Sequence, residues 1–421
     1  MKGRVLMETI SQPVVIVDPV CSGADLAPAF AEKGIPVIAV RSTTLAETNL
    51  TGYGNNIPST HFLKVYNNHP TLADDLRQWN PRAIIAGTET GVWLADKLAA
   101  MLTPQLANIP HLSLARRHKG EMQKALANAG LPVIPTLNTA SAAEVTDWLR
   151  EHDLTDKALV LKPPVSMGSD NVFHIPPGGD WKRIFNYILS TPTALLREPN
   201  ETVIVQEQIT GTEYSVDTVS AAGKHVLAHL TKCKRISMGE GMTVMDHTEF
   251  VPFDNEQHGE LLHYAKQAID ALGIRWGAAH NEIMLTAAGP RLIETGARMC
   301  GGPIIALARA ATGSSQLERV LEAYLDGEIQ NQRYDFKQTV VPVFLNSPVS
   351  GILRNVEILD KLRSLPTHLS THLWLKNGDP VPRTIDVDTT LGVIALAGER
   401  HAVFADYLKV RQVEAQLIIH S

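Results

Sequence analysis

This sequence has few cysteines, no large excess of charge of one sign and no long apolar runs. Its cysteines, Cys21, Cys233 and Cys300, are far apart and show no CxxC spacing. This pattern indicates no disulfide framework or zinc site and favours a reducing cytoplasm. The net charge of −6 does not favour binding to nucleic acid, so we expect no nucleic-acid partner, although the net charge leaves room for small basic patches.

Signals for a membrane are also missing from the sequence. No apolar run approaches the roughly 18 residues that a membrane helix needs. The opening stretch MKGRVLMETISQPVV has no apolar segment of signal-peptide length before polar residues interrupt it. We therefore expect a soluble cytoplasmic protein without a membrane partner.

The chain is long and has an ordinary globular composition. It has 421 residues, of which 44% are hydrophobic and 19% charged, and about two to four domains are expected because one core cannot grow to this size. Changes in the pattern near positions 113 and 331 predict three units, 1–112, 113–330 and 331–421, the last a small α+β unit.

Strands alternate with helices in the first unit. QPVVIVDP and IPVIAV read as buried strands around the helix CSGADLAPAFAEKG, and PRAIIAGTETGVWLADKLAAML repeats the strand-turn-helix order. This alternation predicts a parallel sheet covered on both faces. Asp18, Ser22, Thr88 and Glu89 follow strands at the edge where ligands gather, although capping of the next helix explains them equally well.

Two glutamates interrupt apolar, strand-like sequence in HNEIMLTAAGPRLIETGARMCGG, residues 280–302. We predict a hairpin with the five-residue loop 286–290, which places Glu282 opposite Glu294, with Met284 and Leu292 on the same face and Ile283 and Ile293 on the other. Opposed Cβ atoms would lie about 4.5–5.5 Å apart.

Two carboxylates at that distance repel each other, so something must compensate them. One could be protonated, a divalent cation such as Mg²⁺ could lie between them, or Arg291, Arg298 or Lys234 could neutralise them without a metal. The hairpin alone leaves these alternatives open.

Anion-binding candidates precede the hairpin. The sequence has no GxxxxGK[ST] and no strand-linked GxGxxG. Lys162 instead ends the strand ALVLK, and the loop SMGS follows it, where Gly168 lets backbone N–H groups approach an anion. Lys119 precedes a helix, and each lysine taken singly also fits a solvated surface.

Taken in order, four segments resemble the ATP-grasp superfamily of carboxylate–amine ligases. They are RRHKGEMQKALANAGLPVIPT, LVLKPPVSMGSDNV, VIVQEQITGTEYSVD, and AAHNEIML with RLIETGARMCGG. ETGAR and GTETGVWLADKLA resemble most the L-amino-acid ligase branch. The resemblance implies an α/β chain, α+β in its catalytic part, with an N-terminal Rossmann-like domain, an ATP-grasp domain with a mobile lid near 135–205, and a small C-terminal domain.

The resemblance also implies roles for individual residues. ATP would be held by Lys119, Lys162, the loop residues Met167, Gly168 and Ser169, the hinge residues Glu207, Gln208 and Ile209, and Glu213 at the ribose. Glu282 and Glu294 would bind one or two Mg²⁺ ions, with Mn²⁺ as an alternative. Arg298 and Lys162 would act in catalysis, and Arg298, Gly301, Gly302 and His247 would contact substrate.

One departure from the superfamily concerns the metal ligands. Many members have Asn two positions after the second glutamate, where this chain has Gly296, which leaves the ligands of a second metal ion undefined. No general base is evident; His247 and His280 are candidates because histidine titrates near neutral pH, although a structural role is more common for a lone histidine.

The implied activity is ATP-dependent formation of an amide between two amino acids through an acyl phosphate, with release of ADP and phosphate. Alternatives are another carboxylate–amine ligase similar to phosphoribosylglycinamide synthetase, or a catalytically inactive ATP-binding regulator. A biotin-dependent carboxylase is disfavoured because no Met-Lys-Met carrier segment is present. Amino acids are the expected substrates, and a homodimer is the expected assembly.

Overall fold

A computed structural model describes residues 12–43, 61–193, 197 and 199–420 of the chain. It shows four sheets with helices packed against them. Within these residues, no helix is both long enough and apolar enough to cross a membrane.

The first sheet is parallel, as the sequence predicts, with the strand order β3-β2-β1-β4. Its strands are β1 Val14–Val17, β2 Val37–Arg41, β3 Lys64–Asn67 and β4 Ala83–Ala86, and its helices are α1 Leu26–Glu32, α2 Leu72–Arg77 and α3 Val92–Leu102. Val14 and Ile16 pack into one apolar cluster, while Val15 and Val17 pack into another on the opposite face. Both faces are therefore covered, which explains why β1 is apolar throughout.

A small antiparallel sheet follows, with the order β5-β8-β6-β7. Its elements are α4 Lys119–Asn128, β5 Thr136–Thr139, α5 Ala142–Glu151, β6 Leu159–Lys162, β7 Phe173–Ile175, α6 Trp181–Ser190 and β8 Val203–Glu207. The sheet has its own apolar cluster, in which Leu161, Phe185 and Val205 are almost fully buried. Its strands begin at Thr136 and end at Glu207, which matches the predicted segment near 135–205 closely, and the action of this segment as a lid stays a prediction.

An eight-stranded sheet of order β13-β12-β9-β10-β11-β14-β18-β16 combines strands from the middle and the last part of the chain. From the middle of the chain come β9 Thr212–Ala221, β10 Lys224–Gly239, β11 Met242–Phe250, α7 Asn255–Ala271, β12 Gly277–Thr286, β13 Gly289–Gly296, α8 Ile304–Thr312 and α9 Gln316–Asp326. From the last part come β14 Thr339–Leu345, β16 His368–Leu373, β18 Gly392–Gly398 and α10 Arg400–Glu414. Because β11 pairs with β14 at His247 and Val343, the sheet continues across position 331.

A three-stranded antiparallel sheet completes the C-terminal part, with the order β17-β15-β19. Its strands are β15 Gly351–Leu353, β17 Pro380–Val381 and β19 Ile419–His420. One apolar cluster joins it to α10 and to one face of β14, through buried residues such as Leu353, Val381 and Val403.

Candidate active site

Glu282 and Glu294 face each other across β12 and β13, as the sequence predicts. The predicted loop over 286–290 is wrong, because Thr286 pairs with Gly289 and only two residues make the turn. The shorter turn alone would move the glutamates out of register by one residue.

A β-bulge restores the register of the two glutamates. The pairing shifts after Ile283, which lies opposite Leu292, so that Ile293 is the extra residue in β13. Ile283 and Leu292 point into the core, whereas Met284 and Ile293 line the cavity with the two carboxylates. The predicted positions of Leu292 and Ile293 are therefore exchanged.

Cations neutralise both carboxylates. Lys119 Nζ lies 3.0 Å from Glu294 Oε1, and Glu282 lies 3.4 Å from His280 Nε2 and 3.8 Å from Arg235 Nη2. Burial alone would raise the pKa of Glu282, but the hydrogen bond from His280 and the charges of Arg235 and His280 hold it well below its ordinary value. Glu282 is therefore ionised near neutral pH.

His280 is itself fixed by a buried carboxylate. Its Nδ1 lies 2.7 Å from Asp217 Oδ1, and Asp217 also lies 3.0 Å from His229. Although burial would lower the pKa of His280, Asp217 raises it to about 10. Because both ring nitrogens of His280 face carboxylates, His280 is unsuited to be the general base considered from the sequence.

The two predicted lysines lie at the same cavity as the glutamates. Lys119 Nζ donates a hydrogen bond to the Ser166 carbonyl at 3.0 Å, which ties the start of α4 to the small-residue loop. Lys162 is buried at the end of β6. Burial and the neighbouring charge of Lys119 lower the pKa of Lys162 to about 8, against the opposing effect of the glutamates.

The small-residue loop is in a tightly turned conformation. Gly168 and Ser169 have φ values of 67° and 68°, in the left-handed region that costs glycine little. Met167, Gly168 and Ser169 all line the cavity, and Arg235 Nη1 donates to Ser169 Oγ at 3.0 Å.

The predicted hinge also borders the cavity. Glu207, Gln208 and Ile209 leave β8 and connect the small sheet to β9 of the large one, and all three line the cavity. The apolar side chains of Ile134 and Val160 also line the cavity. An apolar slot between two sheets suits an aromatic base.

Glu213 lies at the cavity but has a partner that the sequence does not indicate. Arg235 forms a two-pronged ion pair with it, since Nε lies 2.9 Å from Oε2 and Nη2 lies 2.9 Å from Oε1. Arg235 therefore links Glu213, Ser169 and Glu282, and the role of Glu213 at a ribose stays a prediction.

Arg298 also lines the cavity, and an ion pair with Glu89 holds it in place. Arg298 Nε lies 3.0 Å from Glu89 Oε2, and Arg117 Nε lies 3.4 Å from Glu89 Oε1. Glu89 is almost fully buried, so it is an ion-pair partner and not an exposed helix cap. Gly301 and Gly302 follow Arg298 along the cavity wall, where an added Cβ would meet no atom within 4 Å.

Gly296 has a specific packing role. A Cβ at this position would lie 2.9 Å from Glu89 Oε2 and 3.0 Å from Arg298 Cζ. The Glu89–Arg298 pair thus occupies the space that an asparagine side chain would need.

The structure places His247 away from the cavity, contrary to the prediction that it contacts substrate. His247 is on β11, lies against Asp246 Oδ2 at 2.5 Å and packs against the rings of Phe404 and Tyr407. It is not among the residues that line the cavity. Its place is in the contact between β11 and α10.

The remaining predicted site residues, Arg298, Gly301 and Gly302 included, all line one cavity of about 660 Å³. Glu282 and Glu294 are opposed carboxylates, and each side chain is 25% exposed. They therefore fit a divalent cation such as Mg²⁺ or Mn²⁺, which prefers oxygen ligands. Gly296 supplies no ligand to a second ion. The cavity thus joins an apolar slot, a cationic centre and a pair of opposed carboxylates.

The chain is similar to known proteins in both sequence and fold. A family model described as an ATP-grasp domain matches residues 155–306. Dapdiamide A synthase from Enterobacter agglomerans is 30% identical over 411 residues, which cover 96% of each chain.

Solved structures share the fold over nearly the whole chain. An L-amino acid ligase from Bacillus licheniformis superposes with a TM-score of 0.69 at 17% identity, covering 97% of this chain and 99% of that one. Phosphoribosylglycinamide synthetase from Anaerococcus prevotii superposes with a TM-score of 0.64 at 14% identity, with the same coverage.

Proposed function

The chain belongs to the ATP-grasp carboxylate–amine ligases, and from this premise we propose that it joins two amino acids through an amide bond, converting ATP to ADP and phosphate. The observation that carries the proposal is the convergence of Lys119, Lys162, Glu282, Glu294 and Arg298 on one cavity. An ATP-binding protein without catalytic activity has no need to retain all five.

ATP would lie between the two sheets. The base would enter the slot at Gln208 and Ile209, and the phosphates would extend toward Lys119 and Lys162. Glu282 and Glu294 would hold Mg²⁺, which supplies positive charge to the phosphate oxygens when bound. The loop with Gly168 would cover the phosphates and exclude water that would hydrolyse an acyl phosphate.

In the first step, a carboxylate oxygen of one amino acid attacks the γ-phosphorus, and the bond from that phosphorus to the β,γ-bridging oxygen breaks, so that ADP leaves. This reaction depends on positioning and charge neutralisation more than on covalent assistance. Arg298, fixed by Glu89, is placed to hold the carboxylate, and Lys162 to offset negative charge on the transferring group.

In the second step, the amine of the other amino acid attacks the carbonyl carbon of the acyl phosphate. The tetrahedral intermediate collapses as the carbon–oxygen bond to phosphate breaks, and the amine nitrogen loses a proton. Arg298 and the backbone N–H groups of Gly301 and Gly302 are candidate donors to the oxyanion. His280 is not suited to take this proton, because both of its ring nitrogens face carboxylates.

The proposal is supported by the 30% identity to dapdiamide A synthase and by a fold shared with an L-amino acid ligase. A fold is also shared with phosphoribosylglycinamide synthetase, so the choice of substrates requires a direct test.

The test is phosphate release by the purified protein with Mg-ATP and single or paired amino acids, with the product identified by mass spectrometry. We expect release to depend on an amino-acid pair and a product whose mass is the sum of the two minus water. Release that no amino acid stimulates would reject the proposal.

A further inference from the structure

The C-terminal part of the chain supplies one wall of the cavity. Phe344 near the end of β14, Trp374 just after β16, and Val387 in the loop before β18 all line it. These residues follow position 331, outside the ATP-grasp segment that the sequence identifies.

The strand pattern shows that this wall is separate from the core. Val343 and Leu345 pack into the C-terminal apolar cluster, and Phe344 between them faces the opposite side. Leu373 and Leu375 likewise pack against that cluster, and Trp374 between them faces the cavity. Phe344 and Trp374 therefore present aromatic surface to the cavity.

The segment 383–390, here called the strap, is held against the cavity by several contacts. Val387 N donates to the Gly168 carbonyl at 3.1 Å, and Thr384 N donates to the Ser347 carbonyl at 2.8 Å. Arg383 Nη1 lies 3.2 Å from Glu240 Oε1 in the turn between β10 and β11. The strap thus connects the phosphate-side loop with the large sheet.

The C-terminal wall lies on the Arg298 side of the cavity. Ile304 packs in an apolar cluster with Val340 of β14 and Ala395 of β18. Ile304, which opens α8 directly after the Gly301–Pro303 segment, also lines the cavity. The aromatic wall is therefore near the place where the substrate carboxylate is expected, while the slot for the base is formed by the small sheet.

We propose that Phe344, Trp374 and Val387 hold the apolar side chain of one of the two amino acids, so that the enzyme selects an amino acid with an apolar side chain. This inference rests on the proposed ligase function. An apolar substrate side chain that leaves water and packs against aromatic and branched side chains has a lower free energy than in water.

The negative charge of the strap disfavours amino acids with acidic side chains. Asp386 is buried at the cavity wall. An acidic substrate side chain would be repelled here. We expect the order apolar, then polar, then acidic.

The experiment measures kcat/KM for a panel of amino acids of graded polarity, together with KM for ATP. Trp374→Ala is expected to lower kcat/KM for the preferred apolar amino acid by about tenfold or more, with KM for ATP unchanged. Trp374→Phe should retain most activity because it keeps an aromatic ring.

Two variants in the strap give a matched pair. Val387→Ala removes methyl groups from the cavity wall and should weaken use of the apolar substrate. Ile385→Ala makes a similar change two residues away at a position that is 38% exposed and does not line the cavity; it should behave as the parent protein. If Trp374→Ala does not fold, this pair still tests the inference.

The outcomes separate the inference from the proposed function. A wild-type enzyme that uses polar or acidic amino acids as well as apolar ones, or Trp374 and Val387 variants with an unchanged amino-acid profile, would overturn the inference and leave the ligase function intact. Absence of any amino-acid-dependent phosphate release would overturn both.

Discussion

His280 lies between two carboxylates, with Nδ1 2.7 Å from Asp217 Oδ1 and Nε2 3.4 Å from Glu282 Oε1. The arrangement follows from strand register, because Asp217 on β9 pairs with His229 on one side and with His280 on the other. His280 thereby connects a buried carboxylate to a proposed metal ligand. Groups that orient metal ligands in this way commonly affect metal affinity by about 10–100-fold.

Asp217→Asn is therefore expected to raise the Mg²⁺ concentration needed for half-maximal ATP turnover by about tenfold or more. It should also lower the free energy of unfolding by about 3–5 kcal/mol, because Asp217 is buried and the substitution removes the charge that pairs with His280 Nδ1. Mg²⁺ titration of phosphate release and thermal unfolding measure the two effects.

A matched control exists in Asp270→Asn. Asp270 also lies 3.0 Å from a histidine, His225, but its side chain is 68% exposed, and exposed pairs contribute little. Equal Mg²⁺ requirements in the Asp217 variant and the parent protein would contradict the positioning of Glu282 by His280.

Glu294→Gln should abolish Mg-ATP turnover while leaving the fold intact. The substitution keeps the size of the side chain but removes the charge that pairs with Lys119 and that a divalent cation requires. Phosphate release measures turnover, and circular dichroism measures the fold. Glu256→Gln, in an exposed position of α7, is the control, and activity retained by the Glu294 variant would remove the proposed metal site.

The sequence predicts the parts of the site that depend on local pattern. The apolar strand before Lys162, the break between β8 and β9, and the parallel first sheet all follow from periodicity and turn residues, and the structure shows each. The opposition of Glu282 and Glu294 is also present, although the predicted loop is too long by three residues and the bulge at Ile293 compensates. A bulge of this kind leaves no clear signal in one sequence.

The parts that escape prediction depend on distant pairs. Glu89 and Arg298 are 209 positions apart in the chain, and Arg235 meets Glu213 only because β10 pairs with β9. Sequence pattern marks Glu89 as a residue after a strand but cannot show its partner. Phe344 and Trp374 likewise look like ordinary strand residues until the large sheet brings them to the cavity.

Gly296→Asn should impair catalysis even though it introduces the residue that many ATP-grasp enzymes have there. An added Cβ would lie 2.9 Å from Glu89 Oε2, so the Glu89–Arg298 ion pair must move. We expect kcat to fall by about tenfold or more, since misplacing a positioning group typically costs this much, with KM for ATP little changed.

Gly178→Asn is a suitable control for that substitution. Gly178 has a φ of 71° and open space at its Cβ, and asparagine tolerates this conformation better than most residues. Its kinetic constants should match the parent protein. A Gly296→Asn enzyme with full activity would show that Arg298 does not depend on Glu89 for its position.

Lys162 should give the enzyme an alkaline limit. Burial and Lys119 lower its pKa to about 8, so its ammonium is charged below that pH and neutral above it. Because kcat/KM for ATP reports groups of the free enzyme, it should decline as the pH rises through about 8. Lys162→Arg keeps a positive charge at every pH tested, and the decline should be absent from its profile. The same decline in the arginine variant would assign it to another group.

The stability of the parent protein should change in the opposite direction over the same range. The folded pKa of Lys162, about 8, is below its ordinary value of 10.5, so between these values the unfolded chain binds the extra proton and the folded chain does not. The contribution of Lys162 therefore increases the free energy of unfolding as the pH rises from about 8 to about 10.5. Denaturant unfolding of the parent and Lys162→Met proteins across this window isolates that contribution, since methionine cannot titrate. If activity falls while this contribution to stability rises, Lys162 is a group that is kept at an energetic cost for binding phosphate. Parallel pH profiles of stability in the two proteins would show instead that the Lys162 ammonium is not desolvated.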